Sequence, residues 1–372
     1  MSAIKEITIA SLSEFPYIYP EAGTFAGFTL EKRFPKILQD VLNNPHLTEP
    51  SNNAIQGLHD ELSTVRVRRL QLIPEEEPYW ADFFSAYLGK PFVEVPFFFL
   101  EIYFYRLINE IIAANQPFTD PFLHIKNQDI TSNNPFFHDV IQRLDTLDVS
   151  QCLQLSVEGN RSDLSQFEQN KKAKGLEYLI DDSASFTDGL PMDNLHILCD
   201  NSGVELFTDL VLAMKLLSSC KTITLHLKEL SLLVSDATRQ DLAQLLDYLR
   251  SIGDDHFVDQ VDSKIREEKL KVESDYFWNA PVFYDHLPIT NDPKDVLISK
   301  GDANYRRFFH DKKFPAHLTV ELNSIGFGEV FALRTLKSEI QTGLDPNKVS
   351  VLHQQDPDWM SGGQYAVIQK LK

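Results

Sequence analysis

Cysteine is scarce in this chain of 372 residues: only Cys152, Cys199 and Cys220 are present, and no two form a CxxC pair. So sparse and odd a set excludes a disulfide framework and fits a reducing compartment. Long apolar runs are also missing. The most apolar stretch, residues 92–104, is interrupted by Glu94, Pro96 and Glu101, which makes it too short and too charged to span a bilayer. Residues 1–11 carry Lys5 and Glu6 and no long apolar run, so they do not read as a signal peptide, and a cytoplasmic location is expected. Positive charge is in deficit, with 35 Lys and Arg against 54 Asp and Glu and a net charge of −19. So acidic a chain repels nucleic-acid phosphates and anionic lipid, and neither nucleic acid nor membrane is an expected partner. A small anionic substrate remains compatible if a local cation or metal reverses the field at its site.

The 26 Phe and a hydrophobic content of 43% are enough for a large core. The length predicts one large domain or two, and the chain divides into halves of different character. Residues 1–150 read as a helical subdomain, with amphipathic spacing over 34–43 and 81–88 and a long buried helix starting at Pro96 and running through Ile111. Pro and Asn cluster between Asn115 and Pro135, which marks loops. Residues 151–372 alternate short apolar runs with helical patterns. Strands are expected at 194–199, 222–227, 232–234, 296–299, 329–333 and 365–368, with a further candidate at 152–157. Helices are expected at 204–217, 238–249 and 303–309. Such alternation predicts a Rossmann-like α/β fold, a mostly parallel sheet flanked by helices. The mixed-charge run Lys264 to Lys271 reads as a solvated helix face.

In open α/β sheets, ligands collect outside the carboxyl ends of the strands. Three expected strands end in polar groups: Asp200-Asn201-Ser202-Gly203, Asp236-Ala237-Thr238, and Lys300-Gly301-Asp302-Ala303-Asn304. Asp200, Asn201 and Asp236 offer hard oxygen atoms that suit Mg²⁺ or Mn²⁺ and suit zinc poorly. Gly203 permits a tight turn into a helix whose amides favour an anion, and Lys300 offers a point charge to a phosphate. The bland alternative is that Asp236 is a helix N-cap, as are Asp302 and Asn304. Glu101 and Arg106 are buried charges that pair with each other or with another element, or else contact a sugar hydroxyl or phosphate. Gly159-Asn160 reads as a turn, Asp209 as a support for the site, and Phe277, Trp278, Trp359 and His196 as core.

These segments together resemble the damage-control phosphatases, formerly the family of domain of unknown function 89. The resemblance rests on residues 199–206 with Thr208-Asp209-Leu210, on residues 234–238, and on Lys300-Gly301-Asp302-Ala303-Asn304-Tyr305-Arg306. Weaker matches are 101–106, 159–164, 277–278 and 358–368. It implies a helical N-terminal subdomain on a Rossmann-like domain. It also implies a divalent ion (Mn²⁺, Mg²⁺, Co²⁺ or Ni²⁺) on Asp200, Asn201 and Asp236, with Lys300 on the phosphate. Glu101, Arg106, Asn160 and Asn304 become candidate substrate contacts. The implied reaction is hydrolysis of small phosphomonoesters such as fructose 1-phosphate or fructose 6-phosphate. Attack comes either from a water steered by Asp200 or Asp236, or from Asp200 itself. A methyl transfer from S-adenosylmethionine to carboxylates is the first competing reading, but the stretch after Val157 has a single glycine where a Gly-rich loop is expected. A non-enzymatic, metal-stabilised binding protein is the second. A haloacid-dehalogenase mechanism needs a DxD where this chain has Asp200-Asn201.

Overall fold

A computed structural model of the chain describes residues 6–160, 175–285, 287–289 and 292–372. Residues 161–164 of the weak match at 159–164, and Lys5, lie outside the described residues. The strands are β1 (Glu6–Thr8), β2 (Glu177–Asp181), β3 (Met192–Leu198), β4 (Cys220–Lys228), β5 (Leu270–Asp275), β6 (Val296–Lys300), β7 (Thr319–Glu321), β8 (Glu329–Thr335) and β9 (Tyr365–Lys370). Strands β1 and β7 form a small pair, and the other seven form one sheet in the order β2-β9-β8-β6-β3-β4-β5. From β8 to β5 all neighbours are parallel, while β9 runs antiparallel to β8.

The chain builds outward from β3 to β4 and β5, then returns across the sheet to β6 and β8. The order therefore reverses between β3 and β6. In a doubly wound sheet this switch point opens a crevice beyond the carboxyl ends of the two strands. Apolar residues on these strands alternate between two cores. Leu195, Ile197, Val296 and Ile298 enter one, whereas Leu198 and Leu297 enter the other. Both faces are covered, so the strands read as near-continuous apolar runs. The helix Val204–Leu216 is buried almost all round, as expected of a helix apolar on every side. No helix among the described residues is long and apolar enough to cross a membrane.

Four expectations about local structure change. Residues 152–157 are not a strand but part of the helix Val149–Asn160, which buries Cys152, Leu153, Ser156 and Val157 on one side. Short apolar runs fit either period, and here the three- and four-residue spacing decides. The loop region 115–135 contains the helix Leu123–Ser132. The charged run at 264–271 spans the end of the helix Asp255–Arg266 and the start of β5, an edge strand that tolerates charge. Residues 232–234 are not a strand either. Leu233 and Val234 have φ of 49° and 71°, a left-handed turn that β-branched residues rarely adopt. Leu232 and Val234 are apolar because they enter the core of the N-terminal helices, alongside Phe34, Phe98 and Phe104. That core is centred on the helix Phe97–Asn115, where Phe104 stacks on Phe34 at 3.8 Å. The helical layer thus grips the loop that follows β4.

Candidate active site

The site is assembled at the switch point from two sharp turns. After β3 the chain passes through Asp200, Asn201 and Ser202 to Gly203, whose φ is +66°. A Cβ there would stand 1.9 Å from Asp129 Oδ2. That contact is close because Asp129, from the helix Leu123–Ser132, accepts the Val204 amide at 3.0 Å. The first amide of the helix Val204–Leu216 is therefore taken by a carboxyl group of the protein itself and not by a substrate phosphate. Burial pushes the Asp129 carboxyl up to about 6, against the opposing pull of the Val204 bond. After β6 the second turn uses Gly301 at φ +74°, where a Cβ would stand 1.7 Å from Asp200 Oδ2. Glycine at this position lets the β6 turn close onto the Asp200 carboxylate.

Asp200 is held from several sides. Its Oδ2 accepts Asn201 Nδ2 at 3.1 Å and Asn160 Nδ2 at 3.3 Å. Lys228, the last residue of β4, donates to the Asp200 carbonyl at 2.7 Å and lies 2.9 Å from Asp236 Oδ1. Burial opposes the Lys228 charge, but Asp236 and Asp200 outweigh it and hold its pKa above the usual lysine value. Asn201 donates to Glu205 Oε2 at 2.7 Å, and its Oδ1 accepts Ser235 Oγ at 2.7 Å. Backbone bonds Ser202 N to Ser235 O and Ala237 N to Asp200 O tie the two loops at 2.6 and 3.0 Å. Asp200, Asn201 and Asp236 are thereby brought together. Asp236 caps no helix: Thr238 is the N-cap of Arg239–Ser251 and forms a capping box with Asp241.

The donors fit a hard divalent cation. Asp236 Oδ1 is buried and has no hydrogen bond among the described residues, only the Lys228 ammonium beside it. Asn201 Oδ1 keeps a second lone pair, and neither Cys nor His accompanies the set. Among the described residues no group of three or more His, Cys, Asp or Glu could hold a metal. The set here is two carboxylates and one amide, so water or substrate oxygens would complete the coordination.

The other expected residues divide. Asn160 belongs to the cluster, bonding Glu205 Oε2 at 2.9 Å and accepting Thr335 N at 2.9 Å. Lys300 is fully buried beneath it: its Nζ lies 2.8 Å from Asp209 Oδ1 and 3.2 Å from Glu205 Oε1, and donates to Ser156 Oγ at 2.7 Å. Burial opposes its charge, and the two carboxylates outweigh that and raise its pKa. Lys300 thus faces carboxylates, not the cavity. Asn304 also points inward, donating to Lys300 O at 2.9 Å and accepting Tyr284 Oη at 2.6 Å. Asp302 caps nothing and instead accepts Arg334 Nη1 at 2.7 Å. Glu101 and Arg106 do not pair. Glu101 binds Arg306 at 2.5 Å, whereas Arg106 is held by Glu76 at 2.7 Å and by Gln71 O, away from the cavity wall.

A cavity opens over this cluster. Asp200 and Asn201 form its floor, Arg33, Arg306 and Lys337 supply cations, and Glu101 and Asp302 supply carboxylates. Phe25, Tyr105 and Leu233 complete the wall. In a chain of net charge −19, three cationic side chains here match the three carboxylates Asp200, Glu101 and Asp302 of the same lining.

Comparison with known proteins decides the family. The sequence profile of the damage-control phosphatase ARMT1-like domain matches residues 29–352. The chain belongs to this family. It is therefore a phosphatase. Among its relatives, damage-control phosphatase ARMT1 of Danio rerio is 27% identical over 423 aligned positions, covering 93% of this chain and 94% of the relative. That of Homo sapiens is 26% identical, covering 94% and 96%. A DUF89 family protein from Pyrococcus horikoshii, a solved structure, matches with a TM-score of 0.48 at 14% identity, covering 93% of this chain and 98% of its own. The Danio rerio alignment is longer than the 372 residues of this phosphatase, so the relative carries insertions that this chain lacks.

Sequence reasoning missed three cationic residues of this phosphatase that the structure places at the site. Lys228 ends β4 and Lys337 lies two residues beyond β8. The rule that found Asp200, applied to every strand end, would have found both. Arg33 comes from the helical layer, where no local signal separates a cavity residue from a surface one.

Proposed function

We propose that this phosphatase is a metal-dependent phosphomonoesterase acting on small sugar phosphates. The observation that carries the reading is the meeting of Asp200 and Asn201 with Arg33, Arg306 and Lys337 around one cavity. Asp200, Asn201 and Asp236 would hold the divalent ion, with Mn²⁺, Mg²⁺, Co²⁺ or Ni²⁺ as candidates. Such an ion supplies Lewis-acid polarisation of the phosphoryl oxygens. The chain supplies the rest. Arg306, Lys337 and Arg33 neutralise the transferring phosphoryl group, which is where most of the catalysis of phosphoryl transfer lies. This replaces the role expected of Lys300, which instead pairs with Glu205 and Asp209 and holds them in place. Asp200, fixed by Asn160, Asn201 and Lys228, accepts a hydrogen bond from the attacking water and orients it in line. Glu101 and Asp302 accept sugar hydroxyls, and Tyr105 and Phe25 cover the carbon face of the ring. Three free cysteines suit a reducing, cytoplasmic setting.

The test is phosphate release from a panel of sugar phosphates and an aryl phosphate, with each metal and with chelator, in wild type and Asp236→Ala. The expected result is release that requires metal and disappears in the variant. Release that persists in chelator, or in a folded Asp236→Ala protein, overturns the metal assignment.

A further inference from the structure

Lys126 lies in the helix Leu123–Ser132 of the helical layer, yet its ammonium ends beside the metal-ligand loop. It is fully buried, with 0% exposure. Its Nζ donates to Asp236 O at 2.8 Å and to Asp241 Oδ2 at 2.9 Å, and pairs with Asp120 Oδ2 at 2.8 Å. Three partners match the three N–H bonds of an ammonium, so the group is saturated and its position fixed. Two of the partners are ordinary carboxylates. The third is the backbone carbonyl of a candidate metal ligand.

The loop needs an external hold. It runs from Glu229 to Thr238 and contains two successive non-glycine residues in the left-handed region, Leu233 and Val234. Such conformations persist only where the surroundings over-determine them. Here side chains from three other elements grip the loop's backbone. Asn109 of the helix Phe97–Asn115 donates to Ser231 O at 3.0 Å. Asn279 accepts Glu229 N at 2.9 Å and donates to Leu230 O at 2.7 Å. Lys126 alone among these reaches Asp236.

A buried ion pair by itself is weak evidence for stability, because desolvation offsets most of its attraction. The bond to a loop carbonyl gives Lys126 a different use. We propose that Lys126 is a positioning residue: it sets the Asp236 backbone, and through it the direction in which the Asp236 carboxylate presents oxygen to a divalent cation. This rests on the reading of Asp236 as a metal ligand. It makes the helical layer part of the metal centre as well as a wall of the cavity.

The experiment measures Mn²⁺ affinity on metal-free, full-length protein by electron paramagnetic resonance, with urea unfolding and turnover alongside. The variants are Lys126→Met, Lys126→Arg, Asp120→Ala and Asp236→Ala. Removing a partner that orients a ligand typically weakens metal binding by about 10–100-fold. That loss is expected for Lys126→Met, with turnover largely recovered at saturating Mn²⁺, and a smaller loss for Lys126→Arg. Asp120→Ala removes one leg of the same ion cluster but leaves the Asp236 contact, so stability falls and Mn²⁺ affinity does not. Wild-type affinity in folded Lys126→Met or Lys126→Arg protein overturns the proposal, as does an equal affinity loss in Asp120→Ala. Wild-type Mn²⁺ affinity in Asp236→Ala would instead overturn the ligand reading on which it rests.

Discussion

Gly301→Ala is the sharpest single perturbation of the site. Two costs follow from the geometry, and a control separates them. The first is the backbone: φ at Gly301 is +74°, and a left-handed conformation costs an L-residue about 1–2 kcal/mol. The second is the contact: the new Cβ stands 1.7 Å from Asp200 Oδ2. Carbon and oxygen in weak contact normally stay about 3.3 Å apart, so something must move by roughly 1.6 Å. A swing of the carboxylate alone is insufficient, since the same Cβ lies 2.7 Å from Asp200 Cβ. Asp200 must shift as a residue, away from Asn160, Asn201 and Lys228. A misplacement of about 1 Å in a catalytic constellation can cost about 100-fold in rate, and a loss of that order or more is expected in kcat/KM. Gly253→Ala is the control, since Gly253 has φ +93° and no atom within 4 Å of its added Cβ. By urea unfolding both variants should show the backbone cost, and Gly301→Ala should lose more because of the contact with Asp200. Only Gly301→Ala should lose hydrolysis of an aryl phosphate. Equal kcat/KM in the two folded variants would refute the packing of Gly301 on Asp200 as the reason for glycine there.

Lys337→Gln removes a charged donor from the cavity wall, worth about 1.5–3 kcal/mol, so kcat/KM should fall by roughly 10–100-fold, with some loss of stability because the ammonium also donates to Asn160 O. Lys300→Met should act the other way: it leaves Glu205 and Asp209 buried without their cation, at a cost of about 3–5 kcal/mol in urea unfolding, and adding Asp209→Asn should recover part of the loss. The Asp129 carboxyl, raised to about 6 by burial, should make the metal-free protein lose stability as pH rises. The unfolded chain releases this proton near pH 4 and the folded chain only near 6, so the folded state binds more protons in that window. Wild type should therefore lose roughly 2–3 kcal/mol relative to Asp129→Asn between those pH values, while Asn still accepts the Val204 amide. Urea midpoints for both proteins across the window check the sign, and parallel curves would contradict it.

The sheet was legible because its strands are buried on both faces. Leu195 to Leu198 and Val296 to Ile298 are continuous apolar runs, and polar residues follow at once. The site floor was legible for the same reason, since Asp200 and Asn201 mark where β3 leaves the core. What escaped depends on contacts between distant elements. Leu232 to Val234 is apolar for the helical layer, which a local pattern cannot distinguish from a strand. Lys300 and Lys337 both follow apolar strands and look alike in sequence. The difference is that the helices Val149–Asn160 and Val204–Leu216 bring Ser156, Glu205 and Asp209 to Lys300. For Glu101 and Arg106, one turn apart, the sequence leaves open whether they pair with each other or with another element, and Arg306 and Glu76 from other elements claim the two charges.

Charge balance at the switch point argues for the cation independently of resemblance. Asp200, Asp236, Glu205 and Asp209 are all buried. Asn160 and Asn201 each bridge Asp200 to Glu205, so the four carboxylates form one hydrogen-bonded group. Two ammonium groups meet them: Lys228 on Asp200 and Asp236, and Lys300 on Glu205 and Asp209. With all four ionised, two negative charges would be left over in a region where uncompensated charge is costly, and burial accordingly raises the pKa of Asp209 and Asp236. With one ammonium to each pair of carboxylates, one would be left at the Asp200 and Asp236 end and one at the Glu205 and Asp209 end. A cation held by Asp200, Asn201 and Asp236 would offset the charge left at that end. On the cavity wall, Arg306 is paired with Glu101 and Asp311, Lys337 donates to Asn160 O, and Arg33 lines the same cavity.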